Sequence, residues 1–153
     1  MKGVLLTIAC VCVMFVLTGC AEKTALTADE FKNLAEGEGY TVIDSTSKVE
    51  QSDRIKKVYV AVNSGLTYQI EFWELSDVDI GVIFYNTNKE NFENSKGSVN
   101  AETTINLGNY SKYTLSTNGK YKVIARVENT AIYANVDEEY KEEVKDFIEQ
   151  LGY

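Results

Sequence analysis

Any chemistry in this chain must rest on carboxylates, lysines, hydroxyls and aromatic rings. The 153 residues include no histidine and no proline, and the three cysteines (Cys10, Cys12 and Cys20) all lie near the N-terminus. Without imidazole the chain lacks the usual general base near neutral pH and the commonest nitrogen ligand for a metal. Zinc, iron–sulfur and haem sites likewise lose their customary ligands. Two carboxylate clusters remain, Asp77-Val78-Asp79 and Asp137-Glu138-Glu139. Each opens an expected helix, where carboxylates accept from free amides and meet the favourable end of the helix dipole. The run Asp77-x-Asp79-x-Gly81 lacks the third ligand of a calcium loop and misplaces its glycine. No Gly-rich phosphate loop or nucleophile elbow is present. The expectation is therefore a protein with no catalytic residues, no metal and no cofactor.

The elements that position these residues begin at Leu26. Thr27 and Glu30 have the spacing of a capping box, Leu26 and Phe31 that of a hydrophobic staple, and Gly37 and Gly39 end the helix. Tyr40 to Ile43 reads as a strand and Ser45 to Arg54 as a polar loop. Two alternating rows follow, Val58, Val60, Val62 and Leu66, Tyr68, Ile70, Phe72. A three-residue loop, Asn63-Ser64-Gly65 with Gly65 left-handed, puts both rows on one face and pairs Val62 with Leu66. The same reasoning at Thr117-Asn118-Gly119 pairs Leu115 with Tyr121, and keeps Leu115 away from Lys122. A tight Glu128-Asn129 turn then joins two more strands into a meander. Ser76 is expected to cap a helix from Asp77 to about Asn94, with Ile80, Ile83, Phe84 and Phe92 inward. Asp137 is expected to cap a second, with Tyr140, Val144, Phe147, Ile148 and Leu151 on one stripe and Gly152 as its stop.

These readings predict an α+β fold: an antiparallel sheet of about six strands with helices on one face. The two hairpin-plus-helix units suggest a weak internal duplication. The opposite face is then open. It carries Lys57, Tyr59 and Trp73 from the first half, and Lys112, Lys122, Arg126 and Tyr133 from the second. Cations interleaved with rings on an acidic domain suit an anionic envelope polymer, a glycan or a protein partner. The competing interpretation is a lysine-bearing outer face that is simply solvated and guards its edges.

The N-terminus supplies an address. Lys2 is the only charge before an almost wholly apolar run from Val4 to Leu17, followed by small residues and then Cys20. At about 14 residues that run is short for a membrane span. Leu17-Thr18-Gly19-Cys20 resembles the lipobox of bacterial lipoproteins. The resemblance covers about the first 21 residues, and the body is similar in general style to small uncharacterised lipoproteins of Gram-positive bacteria. It implies that signal peptidase II removes residues 1–19 and that Cys20 becomes the lipid-modified first residue. Residues 20–26 are then a short tether, reaching roughly 20 Å when extended, and 27–153 form a single domain. Two acyl chains anchor a protein stably where one does so only marginally.

Loss of Lys2 with the leader takes the net charge from −8 to −9 over the 134 residues that remain. That acidity argues against nucleic acid as a partner. The chain is thus expected to be an extracytoplasmic lipoprotein, held in the cell membrane by its lipid anchor, with a non-catalytic binding or interaction domain. The alternatives are an envelope hydrolase using a carboxylate pair and a structural or inhibitory lipoprotein.

Overall fold

The computed structural model describes residues 22–50 and 53–153, so the leader, the lipobox and Cys20 lie outside the described residues. Helix α1 (Ala28–Gly37) starts where the capping box requires: Glu30 N–H donates to Thr27 Oγ1, and Thr27 N–H donates to the Glu30 carboxylate. Strand β1 (Thr41–Asp44) follows, then β2 (Ile55–Val62) and β3 (Gln69–Leu75). Helix α2 (Val78–Glu93) carries the chain across to the far edge of the sheet. Strands β4 (Asn100–Leu107), β5 (Tyr110–Thr117), β6 (Lys120–Val127) and β7 (Thr130–Asp137) then return to the centre. Helix α3 (Lys141–Gln150) ends the domain after one 3-10 turn, Glu138–Tyr140.

The sheet is antiparallel throughout, with order β1-β2-β3-β7-β6-β5-β4. The α+β class and the antiparallel sheet agree with the sequence reading. The strand count is seven, and the strand added to the expected set is β4.

The helices are not confined to one face. Helices α1 and α3 cover one side, over a core that includes Phe31, Phe72, Val123, Ile132 and Phe147. Helix α2 covers the other, with Tyr85 and Phe92 packed on Tyr113, Leu115, Ile124 and Ala131. The physical reason is legible in β6, where Val123 to Val127 are buried in succession rather than alternately. A strand covered on both faces reads as a continuous run, not as an alternation. The units β2–β3–α2 and β6–β7–α3 keep the hairpin-then-helix order, but their helices lie on opposite faces.

Both proposed three-residue hairpin loops are corrected by the observed registers. Val62 pairs with Gln69 and Ala61 with Ile70, so Val58 and Val60 face away from Ile70 and Phe72. The loop is wide because Asn63 organises it: its Oδ1 accepts from the amides of Thr67 and Tyr68. Leu66, not Gly65, takes the left-handed conformation, at φ 55°. In the second hairpin Thr117 pairs with Lys120, and Leu115 does stand opposite Lys122. Asn118 and Gly119 both have positive φ, the signature of a two-residue turn that matches strand twist. Excluding that pairing assumed an open face. Under α2, Lys122 lays its stem along apolar surface and its Nζ donates to Ser95 Oγ. The Glu128-Asn129 turn is as expected, with Val127 opposite Thr130.

Asp77, rather than Ser76, caps α2, its Oδ1 accepting from Ile80 N–H at 2.9 Å. The buried residues of α2 are Gly81, Tyr85 and Phe92, Phe84 packs partly buried against the same core as expected, and Ile83 is 53% exposed. Gly81 is required by contact: a Cβ there would stand 2.6 Å from the Glu128 carbonyl oxygen. Helices α1 and α3 end alike. Gly39 and Gly152 are left-handed, and Tyr40 and Tyr153 donate their amides back to Ala35 and Ile148 while burying their rings.

Candidate functional site

The seven residues expected to share an open basic face are divided between two covered faces. Lys57, Tyr59 and Lys112 lie on the side of α1 and α3, whereas Trp73, Lys122, Arg126 and Tyr133 lie on the side of α2. Lys57 pairs with Asp44 at 3.0 Å and stands 5.4 Å from the Tyr59 ring. Trp73 donates to Glu71 and packs on Phe84 at 4.9 Å, and Tyr133 packs on Phe92 at 5.3 Å. Arg126 is buried, with Nη1 on the Glu128 carbonyl oxygen at 2.9 Å and Nε without a partner among the described residues. These four serve the contact between α2 and the sheet.

Lys112 alone of the seven lines a groove of about 330 Å³ between α3 and the outer strands. Its floor is the outer part of the sheet, with Lys112, Thr114 and Ser116 from β5, Thr103 and Ile105 from β4, and Tyr121 from β6. Its wall is α3. Residues Lys141, Lys145 and Glu149 recur every fourth position, beside the buried stripe of Val144, Phe147, Ile148 and Leu151. The groove exists because a helix is narrower than the sheet. Seven strands span roughly 29 Å at about 4.8 Å each, while two helices side by side cover about 20 Å. With α1 over β1–β3 and α3 over β7, the strands β5 and β4 project beyond.

The two ends of the groove differ. At one end Lys141 Nζ lies 3.1 Å from Glu138 and 3.2 Å from Ser116 Oγ, a closed polar set. Beside it Lys145 stands 3.6 Å from Glu142. At the other end Lys112 is 9% exposed and makes no ion pair among the described residues. Its Nζ donates to the main-chain oxygen of Tyr153 at 3.3 Å. Lys23 donates to the neighbouring oxygen of Gly152, so two ammonium groups meet the negative end of α3. Burial lowers the Lys112 pKa, with Lys23 and Lys145 adding to the effect and Glu149 opposing it. An ammonium group has three donors, and the described residues fill one. Tyr121, beneath the wall, is pushed up to about 12 by burial and by the carboxylates of α3.

Glu142 and Glu149 stand on the same wall, so they do not face each other as a catalytic pair would. Among the described residues there is no cluster of three or more His, Cys, Asp or Glu able to hold a metal. No described helix is long and apolar enough to cross a membrane. Of the groove's residues, Lys112 is among those expected from sequence, and its neighbours on α3 are not. Their signal was present as the Lys141, Lys145, Glu149 spacing in the helix expected there. No family model, curated protein or solved structure matches the chain.

Proposed function

We propose that the chain is an extracytoplasmic lipoprotein, anchored through Cys20, whose domain holds a segment of an anionic envelope polymer in the groove between α3 and strands β4–β5. No reaction is assigned to it. The observation that supports the reading is Lys112: a buried ammonium on the floor of an open groove, with donors to spare and no ion pair to Asp or Glu among the described residues. A buried cation is costly unless it is paired, and an acidic ligand group would supply the missing partner. Hydroxyls of Thr103 and Thr114 lie between it and the Ser116–Lys141–Glu138 set and suit the polar backbone of such a polymer.

The test is retention of the full chain, in detergent, on immobilised poly(glycerol phosphate), on a polyuronate and on neutral dextran. Retention on an acidic polymer, absent on dextran and lost in Lys112→Met, supports the proposal. Equal retention of the parent chain and Lys112→Met overturns it. The anchor is tested separately. Cys20→Ala is expected to abolish lipid labelling and release the protein from membranes, and a variant that still labels removes the lipoprotein reading.

A further inference from the structure

Strand β4 is an edge of a kind that folded proteins usually blunt. It is eight residues long, and its pairing with β5 runs without a bulge from Asn100↔Thr117 to Leu107↔Tyr110. It contains no lysine, arginine or proline, and its single charge, Glu102, is engaged by Lys96 at 2.6 Å and by the Tyr113 hydroxyl at 2.7 Å. The opposite edge, β1, has four residues, and its last, Asp44, is tied to Lys57. Short edges and charged edge residues are protective devices. Strand β1 has them and β4 does not.

The side chains around β4 indicate what would cover it. Val99, immediately before the strand, is 81% exposed, and Leu107 at its end is 52% exposed. We propose that β4 pairs antiparallel with β4 of a second copy of this chain, about a two-fold axis through Thr103. Residues opposite one another in an antiparallel pair share a face, and a two-fold perpendicular to the sheet preserves faces. Centred on Thr103, the register sets Val99 against Leu107, Ala101 against Ile105 and Thr103 against its own copy. On the other face Glu102 meets Thr104, and no like charges are opposed. Apolar and Thr–Thr cross-strand pairs stabilise such a seam. The result is a continuous fourteen-stranded sheet whose two α3 grooves lie on one side, separated by β4 and its copy. The Lys23 segments, held by Asn109 and Gly152, leave from that same side, so paired copies can share one membrane. The seam itself does not rest on the anchor or on the groove's ligand.

A seam of two strands is smaller than the roughly 1,200–2,000 Å² of a standard interface, so pairing is reversible and rises with concentration. The test uses the full chain in detergent, with sedimentation over a dilution series and disulfide trapping with a mild oxidant. Thr103→Cys places two sulfurs within disulfide reach across the axis and is expected to trap a covalent dimer. Asn106→Cys, whose two copies are six residues apart along the seam, about 20 Å, is expected not to exceed the parent's background from Cys10, Cys12 and Cys20. Thr103→Lys, which opposes two ammonium groups at the centre, raises the dissociation constant roughly fivefold or more. A monomer at every concentration, equal trapping at 103 and 106, or a Thr103→Cys adduct only with a different protein would each overturn the pairing.

Discussion

Two quarters of the sheet are left uncovered, and they lie diagonally across the molecule. On the side of α1 and α3, strands β4 and β5 project beyond the helices. On the side of α2, strands β1 and β2 do. The geometry is the same in both, a helix layer narrower than the sheet, but the linings differ. The β4–β5 quarter carries lysines, hydroxyls and carboxylates. The other quarter exposes Ile43 and leads to a cleft of about 240 Å³ lined by Ile55, Leu75, Ile80, Ile83 and Phe84. Uncovered sheet is thus a consequence of width, and width alone implies no function. Chemistry separates the two: one quarter holds a buried ammonium group with no ion pair to Asp or Glu among the described residues, and the other is mainly apolar, with Arg54, Thr87 and Asn88 completing the lining of its cleft.

The largest effect that would sharpen this contrast is expected at Lys112. Lys112→Met should reduce retention on an acidic polymer at least about tenfold, the scale of a hydrogen bond to a charged group. The same substitution should raise the melting temperature, because it removes a charge whose burial the fold opposes. Binding and stability moving in opposite directions is the signature of a site. If both fall together, Lys112 is only a structural contact to the end of α3.

Next in size is Gly81→Ala, which tests the seat of α2 beside the apolar quarter. The added methyl meets the Glu128 backbone at 2.6 Å, so the helix or the turn must shift. Overpacking of this kind costs about 1–3 kcal/mol, measurable by chemical denaturation. The groove on the other face should keep its polymer retention. Loss of retention would show that the two quarters are coupled through the sheet.

The pH dependence of binding should be smaller and has a definite sign. Burial holds the Lys112 pKa below 10.5, so its charge in the folded protein is lost before that of an ordinary lysine. As pH rises from 7 towards 10.5, affinity for an anionic polymer should fall. Over the same window the Lys112 contribution to stability should rise, since the unfolded chain still binds the proton that the folded chain has released. Affinity that stays flat up to pH 10.5 would exclude Lys112 as the counter-charge.

How legible this was from sequence depends on whether the information was local. The α1 capping box, the buried stripe of α3, the Gly152 stop and the Glu128-Asn129 turn each need only a few neighbouring residues, and each was read correctly. The hairpin registers were misread because they depended on one global assumption, that a single face of the sheet is covered. Under that assumption Leu115 opposite Lys122 is unacceptable, which excludes the two-residue turn that an Asn-Gly pair favours. The continuous run Val123-Ile124-Ala125-Arg126-Val127 carried the contrary evidence. Strand β4 was missed for a different reason. Asn-Ala-Glu-Thr-Thr-Ile-Asn-Leu has almost no alternation to detect, because an edge strand projecting past the helices buries only Ile105, and that only in part. Lys112 was found, though for a face that does not exist. What places it is the end of α3, 41 residues away in sequence.

The smallest expected effect is at Ile83, and it bears on whether the apolar quarter is a second binding surface. Ile83 is more than half exposed at the rim of the cleft and belongs to neither core cluster. Substitution with aspartate there removes little buried surface, and exposed sites generally change stability by no more than about 0.5 kcal/mol. Two carboxylates already flank the start of α2, Asp77 and Asp79, and residue 83 lies one turn further along, so the dipole neither helps nor opposes the new charge appreciably. Ile83→Asp should therefore leave the denaturation midpoint and the polymer retention unchanged within error. An apolar dye that reports on exposed hydrophobic surface should bind more weakly to it than to the parent chain. A destabilisation well beyond 0.5 kcal/mol would mean that Ile83 is buried in solution, with the apolar quarter covered and the contrast between the two quarters lost.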